Sequence, residues 1–164
     1  MRYADGPSTE VEILVDAPPS RVWPLVCDID LPSRFSGEFL GGEWTDGSEG
    51  AAVGARFKGR NKHEAAGEWE TTSTVVACEQ ERAFAWEVGD PDNPSATWGF
   101  ELEPQGEGTL LRQRARFGPG PSGLSAVIER MPDKEERIIE RRLEEHRANM
   151  QRTVEGIKSL AENV

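Results

Sequence analysis

The sequence predicts an α+β fold in which a curved, seven-stranded antiparallel sheet wraps around one long C-terminal helix. Three observations lead there. Seven runs alternate apolar and polar residues, and turn signals separate them. The last six runs follow one another through short connections, as antiparallel neighbours do. The chain then ends on a stretch of about 28 residues with apolar side chains at helical spacing.

The segment "STEVEILVDAPPSRVWPLVCDID" changes period in its middle. Val11, Ile13 and Val15 alternate with Glu10, Glu12, Leu14 and Asp16, which marks the first strand. Two short helices are expected before the second strand. Pro18 and Pro19 favour a helix start, and Val22, Trp23, Leu25 and Val26 recur at helical spacing. Pro24 falls in the first turn or so, where a missing N–H costs little. A second short helix or turn is expected around residues 31–35.

The six following strands are read at 40–46, 53–62, 68–78, 83–88, 97–103 and 109–117. "DGSEG", "HEAAG", "EQER", "GDPDNPS", "PQGEG" and "GPGPSG" close them in turn. The long helix is expected to start at Asp133 as N-cap, with Glu136 three residues later. Ile139, Leu143, His146, Met150, Val154, Ile157 and Ala161 form its apolar stripe. The segment "GPGPSGLSAVIERMP" reads as a flexible approach to this helix, a gate holding Leu124, Val127, Ile128 and Met131 over a cavity mouth.

Bulk properties bound the function. The chain of 164 residues fits one domain, 1–164, with one core. A net charge of −11 repels phosphate, which argues against nucleic acid or an anionic membrane as partner. No apolar run nears the ~18 residues of a membrane span. "MRYADGPSTE" lacks the apolar core of a signal peptide. Cys27 and Cys78 make no disulfide framework and have no partner at metal-ligand spacing, so free thiols in the cytoplasm are expected. No metal or cofactor is expected, and no nucleotide, hydrolase or P-loop motif occurs.

The stretch "ARFKGRNKH" carries Arg56, Lys58, Arg60 and Lys62 on every second residue. Period two puts these outside, as it does Glu68, Glu70, Thr72 and Thr74 on the next strand. It likewise puts Arg112, Arg114 and Arg116 outside on the last strand, and Glu101 and Glu103 outside on the strand before it. Basic rows therefore meet acidic rows, and Glu10 and Glu12 fit beside the last strand. Such cross-strand pairs contribute roughly 0.2–1 kcal/mol each, the exposed ones at the low end.

The inward set holds Trp44, Phe57, Trp69, Phe84, Trp86, Trp98, Phe100 and Phe117, with Asn61, Thr71, Ser73 and Gln113 among them. Polar groups in a dry core need partners, whereas a ligand cavity accommodates them. The expected ligand-binding residues are Phe57, Gly59, Asn61, Trp69, Thr71, Ser73, Phe84, Trp86, Trp98, Phe100 and Gln113. From the helix, Ile139, Leu143, His146 and Met150 join them. Gly59 would leave room and Asn61 would present an amide. His63 and His146 are the candidate acid–base groups. No carboxylate at suitable spacing marks an orienting partner for either.

"VEILVDAPPSRVWPLVCDID", "GARFKGRN", "WETTSTVVACEQERAFAWEV", "GTLLRQRARF" and the long final helix together resemble the START-like, or Bet v 1-like, superfamily. The closest likeness is to its bacterial polyketide cyclase/dehydrase and lipid-transport (SRPBCC) type proteins. The resemblance implies a helix-grip fold with strand order 1-7-6-5-4-3-2. It implies a hydrophobic cavity for lipids, polyketides or aromatic molecules, and no cofactor. Three functions follow as expectations: binding or transport of a small hydrophobic or aromatic ligand, cofactor-independent cyclase, aromatase or dehydratase activity, or protein interaction. The protein is expected to be a monomer or homodimer.

Overall fold

The computed structural model describes residues 1–45 and 47–163. Strand β1 (Ser8–Val15) leads through α1 (Pro19–Val26) and a 3-10 turn (Leu31–Arg34) into β2 (Phe39–Thr45). The meander continues through β3 (Arg56–His63), β4 (Gly67–Glu79), β5 (Ala83–Val88), β6 (Ala96–Gln105) and β7 (Gly108–Phe117). Two helices follow, α2 (Gly123–Arg130) and α3 (Glu135–Glu162). The predicted end of β2 at Asp46 lies outside the described residues. All pairings are antiparallel, in the order β1-β7-β6-β5-β4-β3-β2.

Charge complementarity is visible in the register. Arg112 stands opposite Glu12 on one side and Glu101 on the other. Its guanidinium lies 3.2 Å from each carboxylate and 3.8 Å from Glu10. Across β3 and β4, Arg60 faces Glu70 and Lys62 faces Glu68.

The core lies between the sheet's concave face and the helices. Val11, Val15, Leu111 and Ala115 of the sheet pack in one cluster with Val22 and Val26 of α1 and Val154, Ile157 and Ala161 of α3. Full burial of a Val, Leu or Ile side chain contributes about 1.5–3 kcal/mol. A β-bulge between Val75 and Ala77 inverts the alternation of β4. Val75 is fully buried, Val76 is exposed, and Cys78 comes to lie opposite the buried Phe84.

Two expectations about the helices are corrected. Helix α3 starts at Glu135 rather than after an Asp133 cap, because Pro132–Lys134 forms a 3-10 turn ahead of it. The Glu135 carboxylate instead accepts a hydrogen bond of 2.8 Å from the Tyr3 backbone N–H. The segment read as a flexible approach contains helix α2. Ser122 caps it by accepting from the Ser125 N–H at 3.1 Å, and Ser125 Oγ accepts from the Ser122 N–H at 2.7 Å. Tyr3 secures the chain before α2: its hydroxyl donates to the Gly120 carbonyl at 2.7 Å and its ring stacks on Phe117.

Both sheet edges are covered. Arg147 donates to the Glu10 carbonyl at 2.8 Å and Lys158 to the Leu14 carbonyl at 2.9 Å, so α3 caps the free edge of β1. On the other edge, the Gly42 N–H of β2 donates to Asp30 at 3.1 Å.

Gly156 brings α3 against the 3-10 turn. A Cβ there would lie 2.5 Å from Phe35 Cε1 and Cζ. Gly156→Ala is therefore expected to lose about 1–3 kcal/mol in chemical denaturation, the usual cost of overpacking. Gly123→Ala, which meets nothing within 4 Å, is the control and should hold wild-type stability. Equal stability of the two variants would show that Phe35 moves aside freely.

Candidate functional site

The sheet is wider than α3, and the space left between them is a cavity of about 780 Å³. One wall is the concave sheet face: Phe57 and Asn61 of β3, Trp69, Thr71 and Ser73 of β4, Phe84 and Trp86 of β5, Trp98 and Phe100 of β6, and Gln113 and Phe117 of β7. Alternation along each strand puts these side chains on one face. The opposite wall is α3, through Arg142, His146, Asn149, Met150 and Thr153. Phe39 closes one side, and Leu124, Val127 and Arg130 of α2 form another.

The aromatic rings form a connected set. Phe57 meets Trp44 edge-on at 5.6 Å and Trp86 at 5.7 Å, and Trp86 continues to Phe84 at 5.4 Å and Phe100 at 6.1 Å. Edge-on and tilted contacts of this kind add about 0.5–1.5 kcal/mol each beyond their buried area. They stiffen the wall without filling the hollow.

Three of the residues expected to bind a ligand lie elsewhere. Gly59 is covered, since a Cβ there would meet the Phe39 ring and the Thr71 hydroxyl, each at 3.1 Å. Phe39 takes the place that Gly59 was expected to leave open. Ile139 and Leu143 are in a separate cluster with Phe117 and Ile128, on a neighbouring stripe of α3. The remaining residues of the expected set border the cavity, and His63 stands at its rim. Of the four gate residues, Leu124 and Val127 line the cavity, Ile128 is the buried residue of α2, and Met131 is exposed.

Sequence reasoning missed the polar rim. Arg142 of α3 grips Glu38, just before β2, through two parallel hydrogen bonds of 2.6 and 2.7 Å. It also donates to Glu145 at 3.0 Å. Glu145 in turn lies 3.1 Å from His63 Nε2. The carboxylate partner that no local spacing marked therefore comes from α3, 82 residues away in the chain. Burial opposes the charge of Glu145, but the hydrogen bonds from Arg142 and His63 outweigh it and hold the carboxyl below its usual range. The paired orientation of the Arg142 fork is sterically specific and ties α3 to the β2 side of the mouth.

The two histidines differ in what they can do. The Ala65 N–H donates to His63 Nδ1 at 3.0 Å, so the ring proton sits on Nε2 and points at Glu145. Both ring nitrogens are engaged, which fastens His63 at the rim. His146 is buried, with its ring against Trp98 at 4.9 Å and Phe117 at 5.4 Å. Among the described residues it has no hydrogen-bond partner. Burial, then the charge of Arg142 and the proximity of His63, push its pKa down to about 3. It is thus a neutral donor and acceptor facing the cavity, and a weak base. Gln113 adds a second such group, its Oε1 buried without a hydrogen-bond partner. Among the described residues no group of three or more His, Cys, Asp or Glu is arranged to hold a metal ion.

A curled antiparallel sheet closed by one helix over an aromatic hollow defines an SRPBCC-type domain of Bet v 1-like fold. The chain belongs to the family described as polyketide cyclase / dehydrase and lipid transport, which matches residues 7–155. It is similar to the Polyketide_cyc-like protein Cgl2372 of Corynebacterium glutamicum, at 32% identity over 93% of this chain and 90% of that one, with a TM-score of 0.65. It resembles one half of the di-domain ARO/CYC BexL of the BE-7585A biosynthetic pathway: 13% identity, 97% of this chain and 51% of that one, TM-score 0.71. Ara h 8.0201 matches at 13% identity over 96% and 95% of the two chains, TM-score 0.56. The last two likenesses concern the fold alone. No curated protein matches the chain.

The state of His146 is directly measurable. The unfolded chain takes up a proton at this imidazole near 6.5, while the folded chain resists until about 3. Its contribution to stability is therefore complete above 6.5 and is lost as pH falls toward 3. The His146 ring resonance should stay flat in an NMR titration from pH 8 to about 4.5. In His146→Gln, the stability–pH slope over this range should flatten by up to about 1.4 kcal/mol per pH unit. A resonance titrating near 6.5 would overturn this account of the site.

Proposed function

We propose that this protein binds one small, largely apolar ring compound in the cavity between sheet and α3, and holds or carries it. The observation that carries this reading is the aromatic-walled hollow of about 780 Å³. Its volume falls within the range of about 300–1,000 Å³ that suits a ligand of drug-like size. Rigid rings that already face the cavity lose little freedom on binding, so ring stacking there is effective. Membership in a family whose description includes lipid transport supports a carrier.

A second reading, conversion of a polyketide-like substrate, is favoured by one observation: two neutral polar side chains, Gln113 and His146, stand unpartnered among the rings. The fold shared with ARO/CYC BexL is in keeping with it. In this reading His146 polarises a substrate carbonyl by hydrogen bonding. A pKa of about 3 suits it poorly to proton abstraction at neutral pH. His146→Ala would then lower turnover while leaving binding of an unreactive ring compound in place.

Calorimetry and tryptophan fluorescence with naphthalene, 2-naphthol and laurate test the binding reading. Naphthalene and 2-naphthol should bind and quench Trp86 and Trp98. Trp98→Ala should weaken 2-naphthol by about tenfold or more, equivalent to about 1.4 kcal/mol. The outer-face variant Arg114→Ala should not. Absence of binding by either ring compound at millimolar concentration would overturn the proposal.

A further inference from the structure

We infer that the cavity is specific for an uncharged ring compound bearing a hydroxyl group, whose O–H donates to Gln113 Oε1. This rests on the binding reading above and adds the chemistry of the ligand's polar end.

The cavity lining carries four buried polar side chains: Gln113 at 5% exposure, His146 at 7%, Ser73 at 2% and Thr153 at 2%, the last already donating to the Asn149 carbonyl. None is charged, since His146 is held neutral by its surroundings. Gln113 Oε1 is shielded from water and has no hydrogen-bond partner among the described residues. A buried acceptor left unmade carries a desolvation penalty, and a ligand that supplies a donor removes it. Gln113 sits on β7 opposite Phe100 and lines the cavity, so a molecule lying along the aromatic wall passes beside its amide.

The nearby cation is already committed. Arg142 is held by both oxygens of Glu38 and by Glu145. A carboxylate in the cavity would compete with those two carboxylates or stand unpaired in an apolar surround, which is costly. Arg130 borders the cavity from α2 but is itself exposed to solvent, so it offers no dry partner. An aliphatic acid is therefore disfavoured at its head and gains little from the rings along its tail.

Sites built around a hydrogen bond to a substrate hydroxyl discriminate strongly against analogues that lack it. The test is a calorimetric series on one ring system: 2-naphthol, 2-methoxynaphthalene, naphthalene and 2-naphthoate. At neutral pH, 2-naphthol should bind at least about tenfold tighter than the methyl ether or the hydrocarbon. The anionic 2-naphthoate should be weakest. In Gln113→Leu, the preference for 2-naphthol over naphthalene should be lost. A cooperative thermal transition of this variant, with naphthalene still bound, reports that it is folded. Equal affinity of 2-naphthol and 2-methoxynaphthalene, tighter binding of the naphthoate, or an unaffected 2-naphthol in Gln113→Leu would each overturn the inference while leaving ring binding intact. Failure of all four compounds to bind would overturn the binding reading itself.

Discussion

Helix α3 presents one apolar stripe, and a curved sheet of seven strands presents more inner surface than that stripe can cover. The helix packs closely along β1 and reaches β7, while α1 fills in behind it. The strands from β3 to β5 curl away beyond its reach. Their inward residues join the core on one side and border the open space on the other. Long aromatic side chains span part of that distance, which explains why Phe57, Phe84, Trp86 and Phe100 form one connected set. What they do not span is the cavity. The hollow is thus a consequence of the ratio of sheet to helix.

The rim follows from the same ratio. Where side chains are too far apart for apolar contact, long polar ones bridge them. Arg142 joins the helix to the approach of β2, and Glu145 joins it to the end of β3 through His63. The interior and the rim divide the chemistry between them. Charges are paired with one another at the edge, and the groups left unpaired inside are neutral. The depressed pKa of His146 expresses this division, since burial among rings and the positive Arg142 both oppose its protonation.

Much of the fold was legible because it rests on local periodicity. The alternation of Val11, Ile13 and Val15, the basic and acidic rows, and the stripe from His146 to Ala161 each report an element and its inner face. The charge rows also carry strand adjacency, since Arg112 sits between Glu12 and Glu101 as their spacing implied. The bulge at Val76 was not legible, because a single inserted residue leaves no mark in composition. Helix α2 was hidden by the glycines and prolines before it, although its Ser122–Ser125 cap is a local signal that could have revealed it. At the site, strand parity placed Phe57, Trp86, Trp98 and Gln113. Parity could not show that Phe39 covers Gly59, or that Glu145 comes to His63. Both depend on contacts across the fold that no window of sequence contains.

The contacts from Arg147 and Lys158 to the carbonyls of Glu10 and Leu14 constrain how the protein can open. Swinging α3 outward would break both, and would bare a row of backbone acceptors on β1 to any extended chain nearby. Such an opened form would be adhesive, prone to recruit a foreign strand or a second copy of itself. The side of the cavity bordered by Phe39, α2 and the end of β3 lies away from those two contacts. The helix is in that sense a rail fixed along β1.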